Sequence, residues 1–257
     1  MMKIGACINY LKALEEFPSA ADFVEIAAMD LRSLEQGTID ELRCAVEEGR
    51  FRAYSANGLF PSSLRLTGEV DTGKVREYCE HIFYRLAQIH VSTVVFGSGK
   101  AKHVPDGFPM EKAWDQLFEL GAMMSDIAAR YGQTVVVEPL SYTEVNIVNT
   151  YEDAVKYCRA VNRSNFRALV DFYHFHSNGE DFATIERDKD LLYHTHIATP
   201  IHRSRPQTEE EWRFFEKCIS FLDRIGYQGG VSFEGGAHEI AQFNEMLTQM
   251  KAYAQTL

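Results

Sequence analysis

The sharpest feature in the pattern of apolar and polar positions is Thr134-Val135-Val136-Val137-Glu138-Pro139-Leu140, an uncharged β-forming run that stops at a carboxylate and a proline. A continuous apolar run of this length reads as a strand covered on both faces, the habit of parallel sheets. The carboxylate at its end then needs a partner, because a buried charge is costly when left alone. Similar runs predict strands over 3–9, 23–27, 52–60 and 93–96 before it, and over 167–171, 192–197 and 230–234 after it. Between them, apolar residues recur at helical spacing over 10–17, 38–49, 72–89, 110–131, 150–161, 183–188, 209–225 and 238–253. Thr38 with Glu41 has the capping-box spacing, Ile39, Leu42 and Val46 share one face of that helix, and Gly49 and Gly132 close their helices.

Strands that alternate strictly with helices pair in parallel through right-handed crossovers, and eight such units close into a barrel. The expected fold is therefore α/β, a (β/α)8 TIM barrel, with residues 1–257 as a single domain. An open doubly wound sheet competes, but no G-x-G-x-x-G follows the first strand.

Composition narrows the function. The chain has 257 residues, 46% of them hydrophobic and 25% charged, ordinary values for a globular protein with a substantial core. A net charge of -11 is opposite to the footprint that tracks phosphates, so no nucleic-acid partner is expected and a small neutral substrate is. No basic segment leads into an apolar h-region and no apolar run is long enough for a membrane span, so the expectation is a cytoplasmic chain with no membrane partner. The five cysteines, Cys7, Cys44, Cys79, Cys158 and Cys218, are scattered and odd in number, which fits reduced thiols. Four of them read as small apolar residues; Cys7, at the end of the first strand, is placed to approach a site.

In a barrel, residues at the C-terminal ends of strands converge on one mouth. Collected from the last four strands, these are Glu138, Asp171, His196 and Glu234, each about one βα unit from the next. Taken singly, each reads as a helix cap or salt-bridge partner. Together, three anions crowd one imidazole, and repulsion would raise their pKa values unless a cation sat among them. Oxygen donors with one nitrogen suit manganese, magnesium or cobalt; the absence of thiolates disfavours zinc.

Glu138-Pro139-Leu140 with Glu144 beyond it, Asp171-x-x-His174, His194-x-His196 and Ser232-Phe233-Glu234 resemble the motifs of the xylose isomerase-like sugar phosphate isomerase/epimerase superfamily, nearest to ketose 3-epimerases of the tagatose and psicose type. The likeness extends over nearly the whole chain, including Phe96-Gly97-Ser98-Gly99 and Pro105-x-Gly107-Phe108. It implies a metal-dependent TIM-barrel isomerase or epimerase acting on a sugar, with Glu138, Asp171, His196 and Glu234 as metal ligands. It further implies that Glu138 and Glu234 form the proton-transferring pair, that Glu144 and His174 bind sugar hydroxyls, and that the molecule assembles as a dimer or tetramer. The family arginine falls here on His202, so Arg203 fills its role only if the loop shifts by one residue, and Gly235-Gly236 leaves one side of the pocket wider or more flexible. Alternatives are a carbonyl substrate such as an inosose or hydroxypyruvate, an apurinic-site endonuclease, and a non-catalytic sugar sensor.

Other positions have plainer readings. Glu25 is open between a sugar hydroxyl and a neighbouring arginine. His194 reads as a packed or supporting residue one pleat below His196, His176 as structural and Trp114 as packing. Gly97-Ser98-Gly99 reads as a tight loop and not as a phosphate cradle.

Overall fold

A computed structural model describes residues 2–236 and 239–257. Eight strands, β1 (Lys3–Cys7), β2 (Phe23–Ala27), β3 (Ala53–Asn57), β4 (Thr93–Phe96), β5 (Thr134–Val137), β6 (Phe166–Asp171), β7 (Leu192–Ile197) and β8 (Gly230–Phe233), form a closed barrel in chain order. Every neighbouring pair is parallel, and β8 closes on β1 with Gly5 opposite Ser232. The barrel expectation holds and the open sheet is excluded.

The helices pack outside. Apolar side chains such as Leu42, Ile82, Phe83, Leu117, Phe215 and Leu247 belong to one large core cluster with strand residues such as Val94, Val135 and Val137. Val95, Val136 and Leu169 form a separate small cluster. Strand residues two apart share a face, so Val136 and Leu169 lie on the same faces as Glu138 and Asp171 and floor the mouth beneath them.

Several helix starts are written in side chains. Thr150 with Asp153 and Thr208 with Glu211 each form a reciprocal capping box, at the starts of helices Tyr151–Val161 and Glu209–Arg224. The box expected at Thr38 does not form. The amides of Thr38 and Ile39 both donate to the Glu35 carbonyl, at 3.1 and 3.3 Å, so the helix starts earlier and runs over Gln36–Glu47. Three short helices that follow strand ends, Ala28–Leu31, Gly99–Lys102 and Phe172–Ser177, were not expected; at four to six residues, none is long enough to show a periodicity. The last helix is Ile240–Ala254, and the expected start at His238 lies outside the described residues. No described helix is long and apolar enough to cross a membrane.

Candidate functional site

Register delivers the polar residues to the mouth. Asp171 lies opposite His196 across β6 and β7, and His196 opposite Ser232 across β7 and β8. Glu138 and Glu234 each follow the last residue of a strand, their amides donating to the carbonyls of Phe96 and Ile197 at 3.1 and 3.0 Å. The four residues read from the strand ends are thus brought together: each offers one donor atom, and these atoms all lie within 4.8 Å of one another.

His196 is the hub. Its Nδ1 stands 3.1 Å from Glu138 Oε1 and 2.9 Å from Glu234 Oε2, while its Nε2 is 2.8 Å from Glu25 Oε1. Burial alone would depress its pKa, but the carboxylates of Glu25, Glu234 and Glu138 outweigh burial and raise it well above the usual imidazole value. Asp171 is pushed up to about 7, chiefly by burial and against the pull of Arg203, with Glu234 and Glu138 adding repulsion. Burial also works to raise Glu234, yet His196 and Arg203 hold it below its ordinary value.

The outer residues close over this group. Arg203 Nη2 bonds Asp171 Oδ2 at 3.2 Å and Glu234 Oε2 at 2.9 Å, its Nη1 approaches Glu144 Oε1 at 3.8 Å, and its guanidinium lies over the Tyr173 ring, 4.9 Å from the centroid. His174 accepts the Ser141 N–H at Nδ1 (3.2 Å), which leaves the proton on Nε2; that nitrogen is buried and without a hydrogen-bond partner among the described residues, 3.5 Å from Asp171 Oδ2. Burial, reinforced by Arg203, holds its pKa down to about 3, so at neutral pH His174 is a neutral donor. In the structure Arg203 places its side chain in the mouth. Its backbone takes a left-handed φ of 45°, its N–H bonds the Thr199 carbonyl (3.1 Å), and its own carbonyl accepts from Gly236 N (2.8 Å).

That last contact corrects the reading of Gly235-Gly236 as a wider side of the pocket. A Cβ on Gly235 would fall 2.7 Å from the Arg203 carbonyl oxygen and 2.9 Å from Phe233 Cζ, so the glycine lets two backbones meet. Of the partners left open for Glu25, no arginine bonds it among the described residues; its carboxylate instead bonds His194 and His196. His194 is accordingly a supporting residue one pleat beneath His196. Trp114 packs against Phe118 and Tyr157, and His176 sits edge-on to Phe214, both structural as read. Gly97-Ser98 turns tightly, and Gly99 is already the first residue of the helix Gly99–Lys102: the Glu138 carboxylate occupies the space a Gly97 side chain would need, and Leu140 Cδ1 lies 2.9 Å from where a Gly99 Cβ would stand.

Two site residues escaped the sequence reading, and a third was considered without its actual partners. Asn57, at the end of β3, donates to Glu234 Oε1 at 2.9 Å and reaches Cys7 Sγ at 3.5 Å. Fully buried Lys102 donates its Nζ to the Glu138 carbonyl at 3.0 Å, with burial bringing its pKa down to about 7. Glu25 is the third: the sequence singles it out, but not its contacts to His194 and His196. Extending the strand-end collection to β3 finds Asn57; Lys102 leaves no such mark.

Among the described residues, two sets of side chains have the spacing to hold a metal ion, the mouth quartet and Cys7 with Glu25 and His196. In the second, the Glu25 oxygens already accept from Ser55, Ser232, His194 and His196. The quartet is the better fit: three carboxylates face one Nδ1, and the cationic guanidinium of Arg203 already bonds two of them.

Residues 15–255 match the family model described as xylose isomerase-like TIM barrel. A stretch of 114 residues is 34% identical to 3-dehydro-D-guloside 4-epimerase of Escherichia coli (strain K12), covering 44% of this chain and 42% of that protein. Another match, 32% identical over 112 residues, is to a ketose 3-epimerase of Arthrobacter globiformis, covering 43% and 38% of the two chains. These matches span less than half the length of either relative. Among solved structures, the IolI protein with a bound zinc atom aligns at a TM-score of 0.75 and 20% identity over 99% of this chain and 97% of that one, a likeness of fold. The matched family model and the closed eight-stranded barrel agree, and the chain belongs to the xylose isomerase-like TIM-barrel family.

Proposed function

We propose that the chain is a divalent-metal-dependent sugar epimerase of the ketose 3-epimerase type, inverting a carbon next to a ketone by proton transfer through an enediolate. The observation that carries this reading is the placement of Glu138 and Glu234. They come from β5 and β8, on either side of the strands that carry Asp171 and His196, and both carboxylates reach the same imidazole nitrogen. Inversion needs one group to take the proton and another, on the opposite face, to return one. Two carboxylates flanking one centre suit that demand; a single base would suit aldose–ketose isomerisation.

Glu138, Asp171, His196 and Glu234 would hold the cation, with manganese, magnesium or cobalt as the expected metals. Such a cation, when bound, supplies Lewis acidity towards a carbonyl oxygen and its neighbouring hydroxyl. Glu138 and Glu234 exchange the roles of base and acid with the direction of reaction. Lys102 fixes the peptide that carries Glu138, and Asn57 holds the outer oxygen of Glu234. The His174 Nε2–H and the Arg203 guanidinium are donors for sugar oxygens, and the half-exposed Glu144 accepts from a hydroxyl. The substrate is a small neutral polyol.

The test is product identity. The manganese-loaded chain is incubated with a panel of free ketohexoses, 3-keto-glycosides and inososes, and the products are read by NMR. A C3 epimer from a ketohexose supports the reading. An aldose product supports isomerisation instead, turnover of only the glycosides or inososes moves the substrate class, and no metal-dependent conversion of any member refutes the proposal.

A further inference from the structure

Beneath the four mouth residues lies a second polar layer that the proposed proton transfer does not use. Its centre is Glu25 on β2, which is fully buried and has both oxygens engaged. Oε1 is 2.8 Å from His196 Nε2, and Oε2 accepts from His194 Nε2 at 2.7 Å, Ser55 Oγ at 2.6 Å and Ser232 Oγ at 2.8 Å. Register builds this layer: Glu25 lies opposite Ser55 across β2 and β3, Ser232 opposite His196 across β7 and β8, and His194 shares the inward face of β7 with His196. A buried carboxylate surrounded by four donors is held as the anion, because each bond favours the charged form.

The consequence falls on His196. A neutral imidazole has one N–H and one lone pair, and a ring flip or a tautomer change would exchange what it presents to the mouth. Without a cation, the Nδ1 that faces Glu138 and Glu234 carries a proton as well; with Glu25 holding the proton at Nε2, Nδ1 is the nitrogen that gives up its proton and offers a lone pair to a cation. His194 has the matching role one pleat lower. Its Nε2–H donates to Glu25 while its Nδ1 is buried without a hydrogen-bond partner among the described residues, so Nε2 makes its polar contacts, to Glu25 and Ser232.

We infer that Glu25 is a positioning residue that sets the ring orientation and tautomer of His196, so that Nδ1 is the atom offered to a divalent cation. His194, Ser55 and Ser232 fix Glu25 in that role. The inference rests on the proposal that the mouth quartet holds a metal. It differs from a purely structural role, in which removing the carboxylate would lower the melting temperature and leave metal affinity alone.

The test is cobalt binding by calorimetry to the metal-stripped wild-type chain and to Glu25→Gln. The substitution keeps the size of the side chain but offers one acceptor oxygen where two histidines need one each. The expected result is a cobalt Kd weakened about 10- to 100-fold in a folded variant, the range found when such supporting partners of a ligand histidine are removed. A folded variant that binds cobalt within twofold of wild type overturns the inference. Nitrogen-15 NMR of histidine-labelled, magnesium-loaded wild type is the second measurement and needs no variant to fold: a proton on Nε2 and none on Nδ1 of His196 is expected, and a proton on Nδ1 overturns it. Failure of the wild-type chain to bind any divalent cation would instead refute the metal reading beneath it.

Discussion

Gly97→Ala is a small change with a calculable effect. Gly97 lies in the turn after β4 with no positive φ, so alanine is conformationally allowed there. Its Cβ would overlap Glu138 Oε2 and stand 3.3 Å from Glu138 Cδ. The obstacle is the end of a side chain and not backbone, so the carboxylate yields while the fold persists. Ordinary contact begins near 3.4 Å, and to regain it the oxygen must retreat by about 1 Å. A misplacement of about 1 Å at a reacting group costs roughly 100-fold in rate. The expected outcome is a kcat reduced about 100-fold, assayed by NMR of epimer interconversion, with a melting temperature within a few degrees of wild type because the lost chain entropy of glycine offsets part of the strain, by about 0.4–1 kcal/mol. A folded Gly97→Ala chain with kcat within threefold of wild type refutes the placement of Glu138 at the reacting carbon.

Other perturbations separate the parts of the site. Gly235→Ala pushes on the Arg203 carbonyl, 2.7 Å from the new methyl, and should raise KM several-fold more than it lowers kcat in steady-state assays. Manganese at 100 times its Kd should stabilise the chain by about 2.7 kcal/mol, seen as a rise in melting temperature, and Asp171→Asn should lose most of that rise. Glu180 Oε2 accepts the Tyr151 N–H at 2.7 Å, and burial, aided by Asp153 and Glu152, raises its pKa from 4.5 to about 7. Its folded pKa exceeds its unfolded one, so its contribution to stability is full below pH 4.5 and is lost as the pH rises through about 7. Glu180→Gln should therefore stabilise the chain at pH 8, by at most about 3 kcal/mol less a discount for partial exposure, and not at pH 4, as measured by thermal unfolding at the two pH values.

The barrel was legible because burial on both faces makes parallel strands continuous apolar runs, and Val135 to Val137 or Val94 to Phe96 cannot be read otherwise once helices flank them. The mouth quartet was legible for a topological reason: strand ends converge, so Glu138, Asp171, His196 and Glu234 are neighbours whatever the loops do. The layer beneath was not. Glu25 meets its histidines across the closed barrel, from residues 169 and 171 positions away, and a mid-strand Glu looks the same whether it faces an arginine, a sugar or an imidazole. Lys102 sits on a four-residue helix with no periodicity to mark its buried face. Gly235 misled because a missing side chain reads equally as open space or as close packing, and only the path of the Arg203 backbone distinguishes them.

The claim that Glu138 and Glu234 work as two bases on opposite faces is tested most directly by solvent deuterium exchange in the single variants Glu138→Gln and Glu234→Gln, each loaded with manganese and given either epimer of a substrate pair. The expected result is that wild type incorporates deuterium at the inverted carbon. Each variant should fail to convert but still exchange the proton of one epimer, and the two variants should prefer opposite epimers. Conversion without solvent deuterium, or variants that exchange both epimers equally, would contradict it.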